Sequence, residues 1–334
     1  MKIIIPMAGR GTRLRPHTLT TPKPLIPIAG KAIVHRLVED LVKVCNEPIE
    51  EICFIIGDFD QVVKDQLCDI AISIGAKCTI TRQDEALGTA HAILCAGDSL
   101  KGNVLVAFAD TLFNANFKLD TDQDSIIWVH QVEDPSAFGV VKLGNDNGIT
   151  DFVEKPADFI SDLAIIGIYY FKDGKNLRKE LQYLVDNKVI IGGEYQLTTA
   201  LENMKNKGIK FVPGQVTEWL DCGNKDAVVN TNQRYLEYIR DEKLIADSAM
   251  IVNSVIIEPV FIGENVKLTN AVVGPHVSIG ANSSIETSVV RNTIIQEEST
   301  IVNANVKNSM LGSKVYYEGF AHNVSIGDYN VIKP

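Results

Sequence analysis

The N-terminal stretch reads Ile3-Ile4-Ile5-Pro6-Met7-Ala8-Gly9-Arg10-Gly11-Thr12-Arg13-Leu14, followed by Thr21-Pro22-Lys23-Pro24-Leu25. An apolar run leads directly into a glycine loop, and two fixed cations, Arg13 and Lys23, follow. Glycines let backbone N–H groups come close to a phosphate, and the cations neutralise it. These residue types in this order suit a nucleoside triphosphate. The loop lacks the Gly-Lys-Ser/Thr ending of a P-loop, and Leu14 breaks the Gly-x-Gly-x-x-Gly dinucleotide pattern. Two carboxylates stand out further along. Asp110 closes the apolar run Ala107-Phe108-Ala109-Asp110, and Asp221 sits in Trp219-Leu220-Asp221-Cys222-Gly223. Ligands of open α/β sheets bind at the carboxyl ends of strands, so Asp110 is placed to face one. Either aspartate alone would more often be a turn or cap residue.

Together, Gly9-Arg10-Gly11-Thr12-Arg13, Pro16 and Pro22-Lys23-Pro24-Leu25 resemble the sugar-1-phosphate nucleotidylyltransferase family. Glucose-1-phosphate thymidylyltransferases with a hexapeptide-repeat tail are the most similar members. The resemblance runs over about 1–225, nearly the whole catalytic domain of the family. It implies that Ala8, Gly9, Gly11, Thr12, Gln83, Gly88 and Thr89 bind the nucleotide. Gln83-Asp84-Glu85-Ala86-Leu87-Gly88-Thr89-Ala90 looks like the family's base-reading segment. A glutamine amide offers a donor and an acceptor, which suits the imide edge of uracil or thymine. Gly139, Glu154, Gly167 and Glu194 are the implied sugar-side residues, with Glu194 the weaker contact. Lys155, in Val153-Glu154-Lys155-Pro156, is the implied point charge for the sugar phosphate. By the same resemblance Asp110 and Asp221 share one Mg²⁺, an ion that needs only one or two protein carboxylates beside phosphate oxygens and water.

The implied reaction is nucleotidyl transfer from an NTP to a sugar-1-phosphate. The attacking phosphate oxygen is already an anion, so no general base is required. Catalysis reduces to positioning and charge stabilisation. Arg13 and Lys23 are assigned to the triphosphate and departing pyrophosphate, and Lys155 to the incoming phosphate. Glucose-1-phosphate with dTTP or UTP is favoured. A mannose-1-phosphate guanylyltransferase is an alternative, which Gln83 disfavours because guanine-using relatives tend to carry Glu there. An N-acetylglucosamine-1-phosphate uridylyltransferase is another, since Leu87-Gly88-Thr89-Ala90-His91 resembles that group. A tail acyltransferase activity would need a catalytic histidine, and only His276 and His322 are candidates. A non-catalytic regulatory relative is disfavoured by the intact Arg13, Lys23, Asp110 and Asp221. Thr111-Leu112-Phe113 follows Asp110 where many relatives carry Asn, so the sugar stays open. His91 and His130 receive no role.

The elements that must position these groups follow from hydrophobic periodicity. Ile3–Ile5, Ile52–Ile56, Cys78–Thr81, Val104–Ala107 and Ile126–Val132 read as strands. Lys31–Val44, Asp60–Ile74 and Thr89–Ala96 read as helices between the earlier ones. Continuously apolar strands alternating with helices imply an α/β domain with a mostly parallel, Rossmann-like sheet. The pattern changes near residue 245. Asn253-Ser254-Val255-Ile256 recurs seventeen residues on as Asn270-Ala271-Val272-Val273, and again as Thr287-Ser288-Val289-Val290. Six-residue echoes run inside each step: Ile256, Ile262, Leu268, then Val273, Ile279, Ile285. Asn265, Asn282 and Ser283 fill the corners. This is the signature of a short left-handed hexapeptide β-helix of about four or five coils, the alternative being a β-sandwich. The expected domains are 1–240, the nucleotidyltransferase domain, and 245–334, the β-helix, joined by a helix over Thr231–Lys243.

The chain of 334 residues is long enough for two domains, and its net charge of −10 argues against a nucleic-acid partner. No stretch reaches transmembrane length, so no membrane partner is expected. Six cysteines at 45, 53, 68, 78, 95 and 222 follow no metal or disulfide spacing. They are expected to be reduced and mostly buried, hence a cytoplasmic protein. A β-helix with exposed ends is expected to make the chain a homo-oligomer.

Overall fold

A computed structural model describes residues 1–9, 11–115 and 117–320 as two units. The first comprises Met1–Ile26 and Lys31–Asn224; the second comprises Pro27–Gly30 and the chain from Lys225 onward.

The first unit is built on a nine-stranded sheet. Its strands are β1 (Lys2–Pro6), β2 (Glu51–Ile56), β3 (Lys77–Arg82), β4 (Val104–Ala107), β5 (Ser125–Gln131), β6 (Gly139–Leu143), β7 (Ile149–Glu154), β8 (Leu163–Phe171) and β9 (Phe211–Gln215). The order is β7-β6-β8-β4-β1-β2-β3, with β5 also on β8 and β9 on β5. β3, β2, β1 and β4 run parallel; β1, β2 and β4 are largely apolar and buried, whereas the edge strand β3 is half-exposed. Beyond β4 the sheet continues antiparallel through β8, β6 and β7. Ile3, Ile4 and Ile5 are fully buried, consistent with a strand covered on both faces. Among the described residues, the α-helices of this unit are α1 (Ile33–Val44), α2 (Gln61–Ser73), α3 (Thr89–Leu94), α4 (Gly174–Asp186) and α5 (Leu197–Asn206). The Asp60 carboxylate caps α2 by accepting from the Val63 N–H at 2.9 Å, which places that helix where its periodicity predicts. Helix α1 starts at Ile33 rather than Lys31, because Lys31–Ala32 is extended.

One expectation is corrected. Cys68 on α2 and Cys78 on β3 form a disulfide, their Cα atoms 5.2 Å apart. Helix and edge strand lie side by side, so two cysteines ten positions apart in sequence meet in space. Cys53 and Cys222 are buried and outside any disulfide, as expected, whereas Cys45 and Cys95, also outside any disulfide, are half-buried.

Glu51 is a buried carboxylate with a complete set of partners. Burial alone would raise its pKa. Hydrogen bonds from Thr79 and Ser99 (both 2.7 Å) and the Lys2 ammonium at 3.0 Å instead hold it down at about 2. A lowered native pKa stabilises the fold above the unfolded value and withdraws that support as pH falls through the native one. Urea denaturation should therefore show stability falling progressively from about pH 4.5 towards pH 2, and Glu51→Gln should flatten that part of the profile.

The second unit contains α6 (Lys225–Tyr238) and a β-helix. The helix expected over Thr231–Lys243 thus begins and ends earlier. Its buried side includes Thr231 and Asn232, polar residues that interrupt the apolar stripe. The Asn232 Oδ1 accepts from the Ala29 N–H at 2.9 Å and the Ser278 hydroxyl at 2.7 Å. The β-helix stacks parallel strands on three faces, one of which carries five successive rungs: Met250–Val252, Lys267–Thr269, Ser284–Glu286, Thr300–Val302 and Tyr316–Glu318. Val255 aligns with Val272 and Val289, the seventeen-residue step read from sequence. Val289 then aligns with Asn305, a sixteen-residue step. The coil shortens because Arg291 and Asn292 turn a corner that Ile257-Glu258-Pro259 and Gly274-Pro275-His276 turn with three residues. Ile262, Leu268, Val273, Ile279 and Ile285 form the core; Ile256, on the first coil, is only half-buried. Asn265 and Asn282 hold φ of 55° and 58° at stacked corners, a left-handed conformation asparagine tolerates. Their side chains bond to each other at 3.1 Å.

Candidate functional site

The carboxyl ends of β1, β3 and β4 open onto a cleft of about 370 Å³. Its lining includes Ala8, Gly9, Gly11, Thr12, Arg13, Lys23, Gln83, Gly88, Thr89, Asp110 and Glu194. Arg10 lies outside the described residues. The loop after β1 folds back through Gly11, whose φ is 59°. A Cβ there would stand 2.8 Å from the Lys23 Cβ, and the Thr18 hydroxyl donates to the Gly11 carbonyl at 2.8 Å. Glycine at this position lets the segment bearing Lys23 close on the segment bearing Arg13.

Lys23 is buried, and its Nζ donates to Asp110 Oδ2 at 2.9 Å. Asp110 starts a turn into the strand Thr111–Asn114, which pairs antiparallel with Glu218–Asp221 in a register that sets Asp221 opposite Thr111. The Cys222 N–H donates to the Asp110 carbonyl at 3.0 Å, so the two aspartates share one corner. Burial pushes the Asp221 carboxyl up, and the Asp110 charge adds to that. The Gly223 N–H and the charges of Lys23 and Arg13 oppose it. A half-buried pair of carboxylates beside the glycine loop is a donor set of the kind that suits a hard divalent cation completing its shell with phosphate oxygens and water. Among the described residues, no group of three or more His, Cys, Asp or Glu side chains is placed to hold a metal.

Gly88, at φ 113°, begins α3 against the backbone of Tyr195. A Cβ at Gly88 would lie 2.5 Å from the Tyr195 carbonyl oxygen and 2.8 Å from its nitrogen. Gly88→Ala is expected to displace the 83–90 segment and weaken nucleotide binding at least tenfold, a loss of about 1.4 kcal/mol. Equilibrium binding of a nucleoside triphosphate measures it.

Gly139, Glu154, Gly167 and Lys155 do not line this cleft. Gly139 lies against Glu154: a Cβ on it would be 3.1 Å from Glu154 Oε2. Glu154 accepts from the Thr198 hydroxyl at 3.3 Å and faces Lys155 Nζ at 3.7 Å. Lys155 itself is exposed at a φ of 40°. Gly167 adjoins Phe108 and Thr111, and its carbonyl accepts from the Phe108 N–H at 3.0 Å. Glu194 falls on the cleft wall beside Gly88 rather than with Glu154.

Sequence reasoning passed over several residues. Phe108 lines the cleft and meets Tyr169 edge-on. Thr111, the departure from the family pattern, donates to the Ile166 carbonyl at 2.7 Å and accepts from the Trp219 indole at 3.4 Å. His130 makes an edge contact with Trp219. Only Trp219's place in its motif hinted at this cluster. His91 bonds to Gln83, a pairing eight residues apart that no periodicity signals. In the second unit, His276 Nε2 lies 2.6 Å from Glu237 Oε1 with its side chain largely buried, and His322 lies outside the described residues. Among the described residues no helix is long and apolar enough to cross a membrane.

The family model described as Nucleotidyl transferase matches residues 2–238. The bifunctional protein GlmU of Methanococcus maripaludis (strain DSM 14266) is 32% identical over 262 residues, 77% of this chain and 60% of that protein. The chain thus spans about three fifths of the length of such relatives. Glucose-1-phosphate thymidylyltransferase of Streptomyces antibioticus is 28% identical over 364 residues, covering 100% of this chain and 99% of its own length. Among solved structures, a UDP-glucose pyrophosphorylase complexed with UDP-glucose has a TM-score of 0.59 at 25% identity, covering 71% of this chain and 98% of that one.

Proposed function

The chain belongs to the nucleotidyl transferase family, and on that premise we propose that it transfers a nucleotidyl group from an NTP to a sugar-1-phosphate, releasing pyrophosphate. The observation that carries the reading is the convergence on one cleft of Gly9, Gly11, Arg13 and Lys23 with Gln83 and Asp110. Phosphate-binding, base-reading and metal-holding residue types meet at the carboxyl ends of the sheet strands.

A sugar-phosphate oxygen attacks the α-phosphorus. The new P–O bond forms as the bond to the bridging oxygen of pyrophosphate breaks in line with it. Arg13 and Lys23 neutralise the triphosphate and the departing pyrophosphate, and Lys155 meets the incoming phosphate. Glu154, with Gly139 against it, accepts from sugar hydroxyls. Asp110 and Asp221 would hold Mg²⁺, which when bound supplies positive charge at the α-phosphate. No side chain needs to take a proton.

Glucose-1-phosphate with dTTP or UTP is the favoured substrate pair. The full-length likeness to a glucose-1-phosphate thymidylyltransferase and the fold likeness to a UDP-glucose pyrophosphorylase support it. The second unit is proposed to assemble copies of the chain, because Met250, Ile251, Val252 and Val255 leave apolar side chains exposed on two strands of its first coil. A cytoplasmic location is part of the same reading. The test is a panel of UTP, dTTP, GTP, CTP and ATP against glucose-, mannose- and N-acetylglucosamine-1-phosphate, with products identified by mass spectrometry. UDP- or dTDP-glucose is the expected dominant product. GDP-mannose as the dominant product would overturn the base and sugar assignment together.

A further inference from the structure

Gln83 follows the carboxyl end of β3, with its N–H bonded to the Ile56 carbonyl at 2.9 Å. Its side-chain nitrogen stands 3.4 Å from the Gly88 carbonyl oxygen and 3.2 Å from His91 Nδ1. A carbonyl can only accept, so Gly88 fixes which end of the amide is nitrogen. The nitrogen's second hydrogen then points at His91 Nδ1, which must accept it, and the imidazole proton sits on Nε2. Both amide hydrogens are now used inside the protein. Oε1, with its acceptor lone pairs, remains to meet a ligand. The two anchors are well held: Gly88 is wedged on the Tyr195 backbone, and His91 stands in the first turn of α3.

We infer, resting on the nucleotidyl-transfer reading, that His91 is a positioning residue that locks the Gln83 amide with its oxygen outward, so that the cleft selects, among pyrimidines, those carrying a ring N–H. Uracil and thymine offer N3–H to that oxygen. Cytosine offers a lone pair at N3, which Oε1 repels. An amide free to rotate would lose this distinction, because turning its nitrogen outward would donate to cytosine N3. The lock therefore acts chiefly by exclusion, and specificity of this kind rests on the repulsive element as much as on the attractive one. This sharpens the reading of glutamine as a donor and an acceptor together: here the donor end is consumed by Gly88 and His91.

The test compares UTP with CTP in the full-length protein, by calorimetric binding and by kcat/KM with glucose-1-phosphate and Mg²⁺. His91→Leu removes the acceptor that holds the amide. Its UTP-over-CTP preference is expected to fall about tenfold, mainly through improved use of CTP, as suits one hydrogen bond's worth of orientation. His91→Asn places a side-chain oxygen near the former Nδ1 position and should retain the preference. In a Gln83→Ala background, His91→Leu should change nothing further. If His91→Leu does not fold by circular dichroism, His91→Gln, whose oxygen reaches beyond the Nδ1 position, carries the same expectation. The inference is overturned if the leucine variant keeps the wild-type ratio, if the asparagine variant loses as much, or if the effect survives without Gln83. Wild-type protein that prefers UTP in binding yet transfers nothing would contradict the transfer reading and leave this one standing. Wild-type protein that transfers but does not distinguish UTP from CTP would contradict this one alone.

Discussion

Asp110→Asn and Asp221→Asn should each lower kcat by about 10²–10³-fold, the usual cost of losing one preorganised electrostatic contact at a reacting centre. Each replacement is close to isosteric and removes one negative charge. Asp110 loses its ion pair with Lys23, 2.9 Å away, and half of the donor set proposed for a divalent cation. Asp221 sits where burial and the Asp110 charge already disfavour a carboxylate, so the neutral amide should relieve that strain and leave the fold at least as stable. The combination of raised stability with lost turnover marks a site held for function. Far-UV circular dichroism should be unchanged in both variants. Steady-state kinetics at saturating Mg²⁺ provides the check, and near-normal kcat in either variant would remove that residue from the metal assignment.

Ile279→Asp should unfold the β-helix. Ile279 has no exposed surface and lies in register between Ile262 and Ile295 on one face of the coil stack. Burying an unpaired carboxylate costs several kcal/mol, comparable with the whole stability of a small domain. Repeat units draw their stability from their neighbours, so a fault in a central coil should propagate along the stack. The conservative Ile279→Val should cost only about 0.5–1.5 kcal/mol. Thermal denaturation monitored by far-UV circular dichroism separates the two. Light scattering should also show a smaller assembly for the aspartate variant. A melting curve for that variant superimposable on wild type would mean the position is not in a closed core.

Much of this was legible because the residues concerned are locally constrained. Strand β1 reads as three consecutive isoleucines, and the coil step repeats Val255, Val272 and Val289 in one phase. The glycine loop after β1 declares itself through Gly9, Gly11 and Arg13 within a few positions of each other. What stayed hidden depends on distant parts of the chain. Lys23 and Asp110 meet across 87 positions, and nothing in either segment announces the ion pair. Asn232, buried to serve Ala29 and Ser278, looks like a surface residue in sequence, so the buried side of α6 did not show as an apolar stripe. Cys68 and Cys78 pair only because α2 lies along β3. The antiparallel strands β6, β7 and β8 follow no strand–helix alternation, so the motifs they carry, around Gly139 and Glu154, were found by family pattern rather than by periodicity.

The most direct test of the central claim is an omission assay for pyrophosphate on the full-length protein. UTP or dTTP, glucose-1-phosphate and Mg²⁺ are supplied together and then with each left out in turn. The account requires pyrophosphate release in the complete mixture and its loss in every omission, with the label of an α-³²P nucleotide recovered in the nucleoside diphosphate sugar. Release that persists without the sugar phosphate, or a label that never reaches a sugar nucleotide, would contradict it.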